Sequence, residues 1–433
     1  MTSPPATPPS RSPNDDEWRF NTITLPCEWV ENYRPGGYHP VQLGDTFKDG
    51  QYKVIRKLGE GSYSTVWLTQ ETRKSTYVAL KILVSEILQN HSELNIIHHI
   101  VKVAPSEARE YVTQLLDEFY HEGPNGIHRC LCFEPMGPSV NSMVEELPQF
   151  KPRKRDMKIR YPPWMAKRIL KQSLQALAFL HKQGIAHGDF QPGNILFALP
   201  NINGQPADKL QQEESLYPRP SSHPVQRLDG KEDKWAPKYL HIAQPLASLT
   251  PFDANFRVKL SDMGGAYFFT DPPAKIITPL GLRAPEFILM GVINQSLDIW
   301  SFGCLIFELM TGRPLFCIAG PDDEDDDHLL SLISTIGPLP DDLFKHWKTS
   351  SLYYTPEGML FNYELGGVAE GEEPLLLDEP PMEELFDQAG PELDVEEAGV
   401  VKALIRRILQ YNPVDRPTAV GILSDPWFAT INL

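Results

Sequence analysis

His187-Gly188-Asp189-Phe190-Gln191-Pro192-Gly193-Asn194 is the stretch on which the reading of this chain turns. An Asp followed five positions later by an Asn places a proton acceptor and a neutral oxygen ligand on one short loop. Asp189 can take the proton of an attacking hydroxyl, and Asn194 can hold magnesium beside a nucleotide phosphate. Downstream, Ser261-Asp262-Met263-Gly264 follows the strand-like Arg257-Val258-Lys259-Leu260, and Asp262 is a second candidate magnesium ligand.

Upstream lies Gly59-Glu60-Gly61-Ser62-Tyr63-Ser64-Thr65-Val66. Its glycines let backbone approach phosphate oxygens without a side-chain clash. Ser64 stands where a third glycine is usual. The next strand-like run, Val78-Ala79-Leu80-Lys81, ends in a cation for the α- and β-phosphates. Glu93 is the preferred ion-pair partner of Lys81 because Glu93-Leu94-Asn95-Ile96-Ile97 has a helical pattern, and Glu86 is the competing choice. Taken singly, a Gly-rich turn, a Lys at a strand end and an Asp in a loop are ordinary. In this order they point to phosphoryl transfer.

The surrounding pattern is β from residue 52 to 83, with a helix near residues 92–101 and a strand ending at Phe133. Beyond Met136 it is helical. Met165, Ile169, Leu170, Leu174, Leu177 and Leu180 recur at helical spacing after Pro162-Pro163, and Gly184 marks the stop. Further helices are expected over about 296–310, ending at Gly312, and about 400–411. Residues 1 to about 25 are rich in Pro, Ser and Thr and are expected to lack order. Two inserts are expected, at about 200–255 and, Lys- and Arg-free and acidic, at about 349–400. The expected division is an N-terminal segment over 1–36, a β-rich small lobe over 37–136 and a helical large lobe over 137–433.

With 433 residues and a formal net charge of -17, the chain lacks the basic surface that general nucleic-acid binding requires. A basic protein partner suits it better. Cys27, Cys130, Cys132, Cys304 and Cys317 have neither disulfide nor zinc spacing, and Cys130 and Cys132 would share one strand face as buried thiols. The chain opens without a signal-peptide pattern and contains no uncharged run of about 18 residues, so no membrane association is expected. The expected location is cytoplasmic, nuclear or both. Lys151-Pro152-Arg153-Lys154-Arg155 reads as a solvated basic loop or an import signal. His98, His99, His121 and His128 show no metal-ligand spacing.

Ala284-Pro285-Glu286, Asp298-Ile299-Trp300-Ser301-Phe302-Gly303 and Asp415-Arg416-Pro417-Thr418 complete the pattern. Over about residues 38–430 the chain resembles a eukaryotic protein kinase, and most of all the SR-protein kinases. Gly36-Gly37-Tyr38-His39-Pro40-Val41, Arg56-Lys57-Leu58-Gly59 and Asp325-Asp326-Asp327-His328-Leu329 are similar to segments of that family. The resemblance implies an α+β, two-lobed fold whose site residues converge in a cleft around ATP and Mg2+. It implies a hinge at Glu134-Pro135-Met136 behind gatekeeper Phe133, with the Glu134 carbonyl and Met136 amide meeting adenine. Leu58, Val66, Ala79 and Leu196 would sandwich the base, and Gly59, Glu60, Gly61 and Ser62 would cover the phosphates. Glu286 would pair with Arg416, and Asp298 would brace the catalytic loop. The implied substrate is a basic, Arg/Ser-rich protein, with acidic residues 322–327 holding its arginines, and the enzyme would act as a monomer.

Three positions depart from the family. Gln191 replaces a Lys that contacts the transferring phosphoryl group. Pro279 replaces a Thr that touches this Lys and the catalytic Asp. Gly188 replaces an Arg that receives an activation-loop phosphate. Exchanging a charged for a neutral hydrogen bond costs about 1–3 kcal/mol, roughly ten- to hundredfold in rate, so catalysis is expected to be weakened but retained. Only Thr270, Thr278 and Tyr267 carry hydroxyls between Asp262 and Glu286, and phosphorylation there is expected to be unnecessary. The alternatives are a pseudokinase serving as an ATP-binding scaffold and, on the His-Gly-Asp loop, a small-molecule kinase.

Overall fold

Val66-Trp67-Leu68 and Tyr77-Val78-Ala79-Leu80-Lys81-Ile82 carry too few polar residues for a strand with a wet face, and both become interior strands. A computed structural model describes residues 7–11, 14, 17–74, 76–88, 92–151, 157–213, 221–318, 324–363, 371, 373 and 380–433. The chain divides into two units. The first comprises Met1–His91, Thr113–Pro138 and Phe197–Pro251, and the second Ser92–Val112, Ser139–Leu196 and Phe252–Leu433. These bounds differ from the expected 36/37 and 136/137 divisions.

The first unit is built on β1 (Thr46–Phe47), β2 (Tyr52–Gly61), β3 (Ser64–Glu71), β4 (Thr76–Leu83), β5 (Leu115–Gly123) and β6 (Gly126–Phe133). They form one antiparallel sheet in the order β1-β2-β3-β4-β6-β5. Register sorts the side chains by face, because directly opposed residues point the same way and neighbours along a strand alternate. Val66, Lys81 and Leu131 are opposed, as are Leu68, Ala79 and Phe133, and the two rows share one face. Trp67, Leu80 and Cys132 share the other, where they join Val54, Val78, Ile82 and Cys130 in a buried core. Cys130 and Cys132 are therefore free, buried thiols on one strand face.

Two expectations for this unit are corrected. The insert was placed in the large lobe, yet its Ile202, Leu210 and Leu246 pack on Ile55, Leu68 and Tyr77 of the sheet. Arg56 fixes its backbone, donating to the carbonyls of Leu210 (2.7 Å) and Gln211 (2.8 Å). Order begins before the expected boundary near residue 25, since Phe20 lies in a core with Val30, Tyr33, Tyr38, Val84 and Leu240. Buried Glu31 accepts from the backbone of Arg19 (2.6 Å) and Phe20 (2.9 Å). Lys57, fully buried, is paired to Glu28 and Glu60 (3.0 Å) and donates to the His241 carbonyl (2.8 Å).

The second unit is helical. The periodicity that begins at Met165 forms the helix Pro163–Lys182, with proline at its first position, where a missing N–H costs nothing. Ile169, Leu170, Leu174, Leu177 and Leu180 on it have no exposed surface. The helix Ser296–Thr311 ends at Gly312 in the left-handed conformation, φ 76°. A third runs Val395–Ile408, starting earlier than expected because Asp394 caps it through the Glu397 N–H (2.8 Å). The helix Ser92–Val103, expected in the small lobe, belongs here. Ser92 Oγ donates to the Ala266 carbonyl (3.2 Å), and His99 stands edge-on to Phe268. Glu286 and Arg416 form a fully buried bidentate pair at 2.6 and 2.7 Å. Among the described residues, no helix is long and apolar enough to cross a membrane.

Lys57→Met would leave Glu28 without its cation in the interior and Glu60 without its partner at the surface. Breaking a buried pair in this way costs about 3–5 kcal/mol. The measurement is chemical denaturation of parent and variant, and an unchanged midpoint would refute the stabilising role.

Candidate active site

In the second unit the catalytic loop is held between two short strands. Ile185–Ala186 pairs antiparallel with Tyr267–Phe268, which brings the chain before His187 beside the chain after Asp262. The Ser261 N–H donates to the Asn194 carbonyl (2.8 Å), and His187 Nε2 lies 3.1 Å from the Ser261 carbonyl oxygen. Beneath the loop is Asp298, 2% exposed, in the first turn of its helix. It accepts from the N–H groups of His187 (2.8 Å) and Gly188 (2.9 Å), and His181 Nε2 lies at 2.9 Å. Burial by itself would raise its pKa, but the His181 contact, the nearby imidazoles and the Gly188 N–H outweigh this and lower it. The bracing role expected of Asp298 is thus seen directly.

Gly188 adopts φ +71°, and a Cβ there would approach the Gly265 carbonyl oxygen to 2.2 Å. No side chain fits, which accounts for glycine at this position. Thr278, 4% exposed, donates its hydroxyl to the Gly188 carbonyl (2.6 Å), and Pro279 leads into a short 3-10 turn beside it. Tyr267 is likewise buried and donates to the Asn294 carbonyl (2.9 Å). Of the three hydroxyls considered for phosphorylation, only that of Thr270 is exposed.

Both oxygens of Asp189 are engaged. Gln191 Nε2 donates to Oδ1 (2.8 Å), and Asn194 Nδ2 donates to Oδ2 (2.7 Å). The amide of Gln191 therefore contacts the candidate base directly. With its nitrogen on Asp189, Asn194 has its carbonyl oxygen free to face a cation. Burial raises the Asp189 pKa. His187 and the two amide bonds oppose that shift, and the negative charge of Asp262 adds to it. Asp262, exposed and left-handed at φ 57°, accepts from the Gly264 N–H (3.2 Å). The Asp262 carboxylate and the Asn194 amide oxygen suit magnesium, which takes few protein ligands and completes its shell with phosphate and water. Gly265 has no sequence signal of its own, yet a Cβ there would lie 3.1 Å from Asp189 Cβ. Glu93, 8% exposed, and partly buried Leu196 also belong to this unit.

The first unit carries the remaining expected residues. Gly59, Glu60 and Gly61 end β2, paired with Val66, Thr65 and Ser64 of β3, and Ser62 opens the two-residue turn between the strands. The Glu60 carboxylate pairs with Lys57, so this residue offers the loop its backbone. Val66, Ala79 and Lys81 lie on one sheet face, with Phe133, the expected gatekeeper, opposite Ala79. Partly buried Leu58 packs at the edge of the cluster that seats the insert. At the hinge, the Glu134 N–H donates to the Gln114 carbonyl (3.0 Å) while its carboxylate accepts from the Gln114 N–H (2.9 Å), and Met136 is buried. Glu86, the competing partner for Lys81, pairs instead with Arg34 (3.3 Å).

The acidic segment is only partly available. Residues 319–323 fall outside the described set, as do residues 152–156 of the basic run. Asp326 is committed internally, accepting from Trp347 Nε1 (2.6 Å) and Thr349 Oγ1 (2.7 Å). That use corrects its expected role in holding substrate arginines.

The protein kinase domain family model matches residues 52–204 and 250–428, and the unmatched interval falls in the insert. The chain belongs to this family and has its two-lobed α+β fold. A serine/threonine-protein kinase SRPK of Physarum polycephalum is 31% identical over 93% of this chain and 92% of its own. Protein kinase dsk1 of Schizosaccharomyces pombe is 25% identical over 93% and 85%, and SRSF protein kinase 3 of Sus scrofa 23% over 97% and 93%. A crystallised kinase domain shares the fold with a TM-score of 0.60, at 24% identity over 90% of this chain and 98% of its own. The protein is an SRPK-like, ATP-dependent serine/threonine protein kinase. These relatives favour neither the scaffold nor the small-molecule alternative.

Asp298→Ala would orphan two buried backbone N–H groups and loosen the loop that carries Asp189. The expected result is a kcat lowered at least about hundredfold, with ATP affinity nearly unchanged, measured by steady-state kinetics and calorimetry. Phosphatase treatment is expected to leave activity intact, because Thr278 and Tyr267 are inaccessible and Gly188 offers no phosphate receptor. Complete loss of activity would refute this.

Proposed function

We propose that the enzyme phosphorylates serines in basic, Arg/Ser-rich proteins, using ATP with Mg2+. In this reading Asn194 and Asp262 hold the metal, and Asp189, oriented by Gln191 and Asn194, accepts or steers the serine proton. Lys81 neutralises phosphate charge. Gly59, Glu60, Gly61 and Ser62 cover the phosphates. Leu58, Val66, Ala79 and Leu196 flank the base, while Glu134 and Met136 supply its polar contacts. When bound, magnesium offsets the charge that builds on the phosphoryl oxygens.

The observation that carries the basic-substrate reading is a cavity of about 260 Å³ in the second unit, lined by Gln191, Pro279, Cys304, Glu308 and Phe316. Gln191 links it to Asp189 through its 2.8 Å bond. Partly buried Glu308 contributes an acid whose pKa burial pushes up to about 7, with no cation opposing the shift. A guanidinium entering the cavity would meet a poorly solvated carboxylate, the setting in which a charged hydrogen bond is strongest. Relatives named SRPK and SRSF protein kinase 3 agree with this choice. Free cysteines suit a reducing compartment, so the proposed location is the cytoplasm, the nucleus or both. We further propose action as a monomer.

Radiolabelled transfer to an Arg/Ser-repeat peptide, compared with an Ala/Ser peptide, is the test. The repeat peptide should be strongly preferred, and Asp262→Ala should abolish labelling. Glu308→Gln should raise KM for the repeat peptide about tenfold and leave the Ala/Ser peptide unaffected. The sign with pH is fixed: Glu308 is protonated below about 7, so KM for the repeat peptide should fall as pH rises from 6 to 8. In the Gln variant that slope should vanish. A persisting slope would exclude Glu308.

A further inference from the structure

The Gly-rich loop is held from outside by a residue that lies in neither the loop nor its strands. The Tyr38 hydroxyl donates to the carbonyl oxygens of Gly61 (2.7 Å) and Ser62 (3.3 Å). The Val84 N–H takes the next carbonyl, that of Tyr63 (2.9 Å). Three consecutive carbonyls at the tip are therefore claimed by the first unit itself. In a trans peptide the C=O and the following N–H point in opposite directions. Drawing the Gly61 and Ser62 carbonyls toward Tyr38 consequently turns the N–H groups of Ser62 and Tyr63 away from it.

We propose that residues 36–41 form a strap whose Tyr38 hydroxyl sets the peptide planes of the Gly-rich loop for binding the phosphates of ATP. Tyr38 is a positioning residue, and the proposal rests on the assignment of that loop to the phosphates. A glycine-rich turn left alone samples many peptide orientations, and a fixed donor behind it removes that freedom before the nucleotide arrives.

The strap is itself pinned along its length. The Gly36 N–H donates to the Asn125 carbonyl (2.8 Å), and the Asn125 side chain returns a bond to the Tyr38 carbonyl (2.5 Å) and a second to that of Trp235 (2.8 Å). The Glu86 N–H donates to the Gly36 carbonyl (2.8 Å) and the Ser85 N–H to that of Gly37 (3.2 Å). A Cβ on Gly37 would come within 2.0 Å of the Asn32 carbonyl oxygen, so the turn closes only with glycine. His39 seats the far side, its ring edge-on to Phe47, His121 and His128. Tyr38 is 4% exposed and packs against Tyr33. Burial, with Glu28, Glu60 and Glu86 nearby, pushes its pKa up to about 12, so it remains a donor at neutral pH.

Tyr38→Phe in the full chain removes the hydroxyl and keeps the ring. Amide hydrogen exchange of the ligand-free protein should be several-fold faster at residues 61–64. Calorimetry should show magnesium-ATP bound about fivefold more weakly, the loss expected for one hydrogen bond, and adenosine bound equally well. A merely structural role would weaken both ligands alike. Unchanged exchange, or equal losses for ATP and adenosine, would overturn the proposal. A parent protein that binds ATP no better than adenosine would count against the phosphate assignment of the loop, while the exchange comparison would still decide the strap.

Discussion

One buried carboxylate organises the catalytic loop. Asp298 is surrounded by donors, and each of its hydrogen bonds replaces a contact that water would otherwise make. Its position in the first turn of the helix Ser296–Thr311 adds the favourable field of a helix N-terminus. With the amides of His187 and Gly188 pointing down at Asp298, the loop must turn sharply at residue 188. The turn takes the left-handed conformation, and the close approach of the Gly265 carbonyl leaves room for glycine alone. The geometry of Asp189 follows from that turn, and Thr278 fixes the next peptide through the Gly188 carbonyl.

The departures from the usual kinase pattern are accommodated by this local network. Where a Lys would carry a full charge, Gln191 offers an amide, and the structure uses it to orient the base. In the proposed reading the remaining electrostatic work would fall to magnesium and Lys81. Asp189 and Asp262 repel each other, and burial disfavours the charge on Asp189. A divalent cation held by Asn194 and Asp262 would lessen both penalties, which would couple its binding to the ionised state of Asp189. Thr278 takes a buried hydroxyl role one position before Pro279, so the substitution at 279 does not leave the segment without an anchor.

Much of this was legible in the sequence because the informative residues are local. The β-like runs from Tyr52 to Leu83, the helical spacing from Met165 and the order of the Gly-rich, Asp-x-x-x-x-Asn and Asp-x-Gly motifs each depend on neighbours a few positions apart. The pairing of Glu286 with Arg416 followed from resemblance, and the fully buried bidentate geometry agrees with it. What could not be read were contacts that join distant segments of unremarkable composition. Pro, Gln and Ser in the insert suggest a solvated loop, and its few apolar residues declare their partners only in three dimensions. Glu308 resembles any glutamate on a helix, and only the cavity beside it gives it meaning.

The same reasoning explains Arg56 and Lys57, which the sequence presents as an ordinary basic pair at a strand end. They point to opposite faces of β2, as strand geometry requires, and each gathers a different distant segment. Arg56 holds the carbonyls of residues 210 and 211, while Lys57 holds Glu28 and the carbonyl of His241. An interior ammonium is tolerable only with such partners. The strand that delivers the Gly-rich loop is thus clamped on both faces just before Gly59. The clamp limits flexibility to the turn itself, the part whose peptide planes Tyr38 engages. A glycine-rich turn hinged on a loose strand would lose order along its whole length on opening. Hinged on a fixed one, it can move at its tip alone.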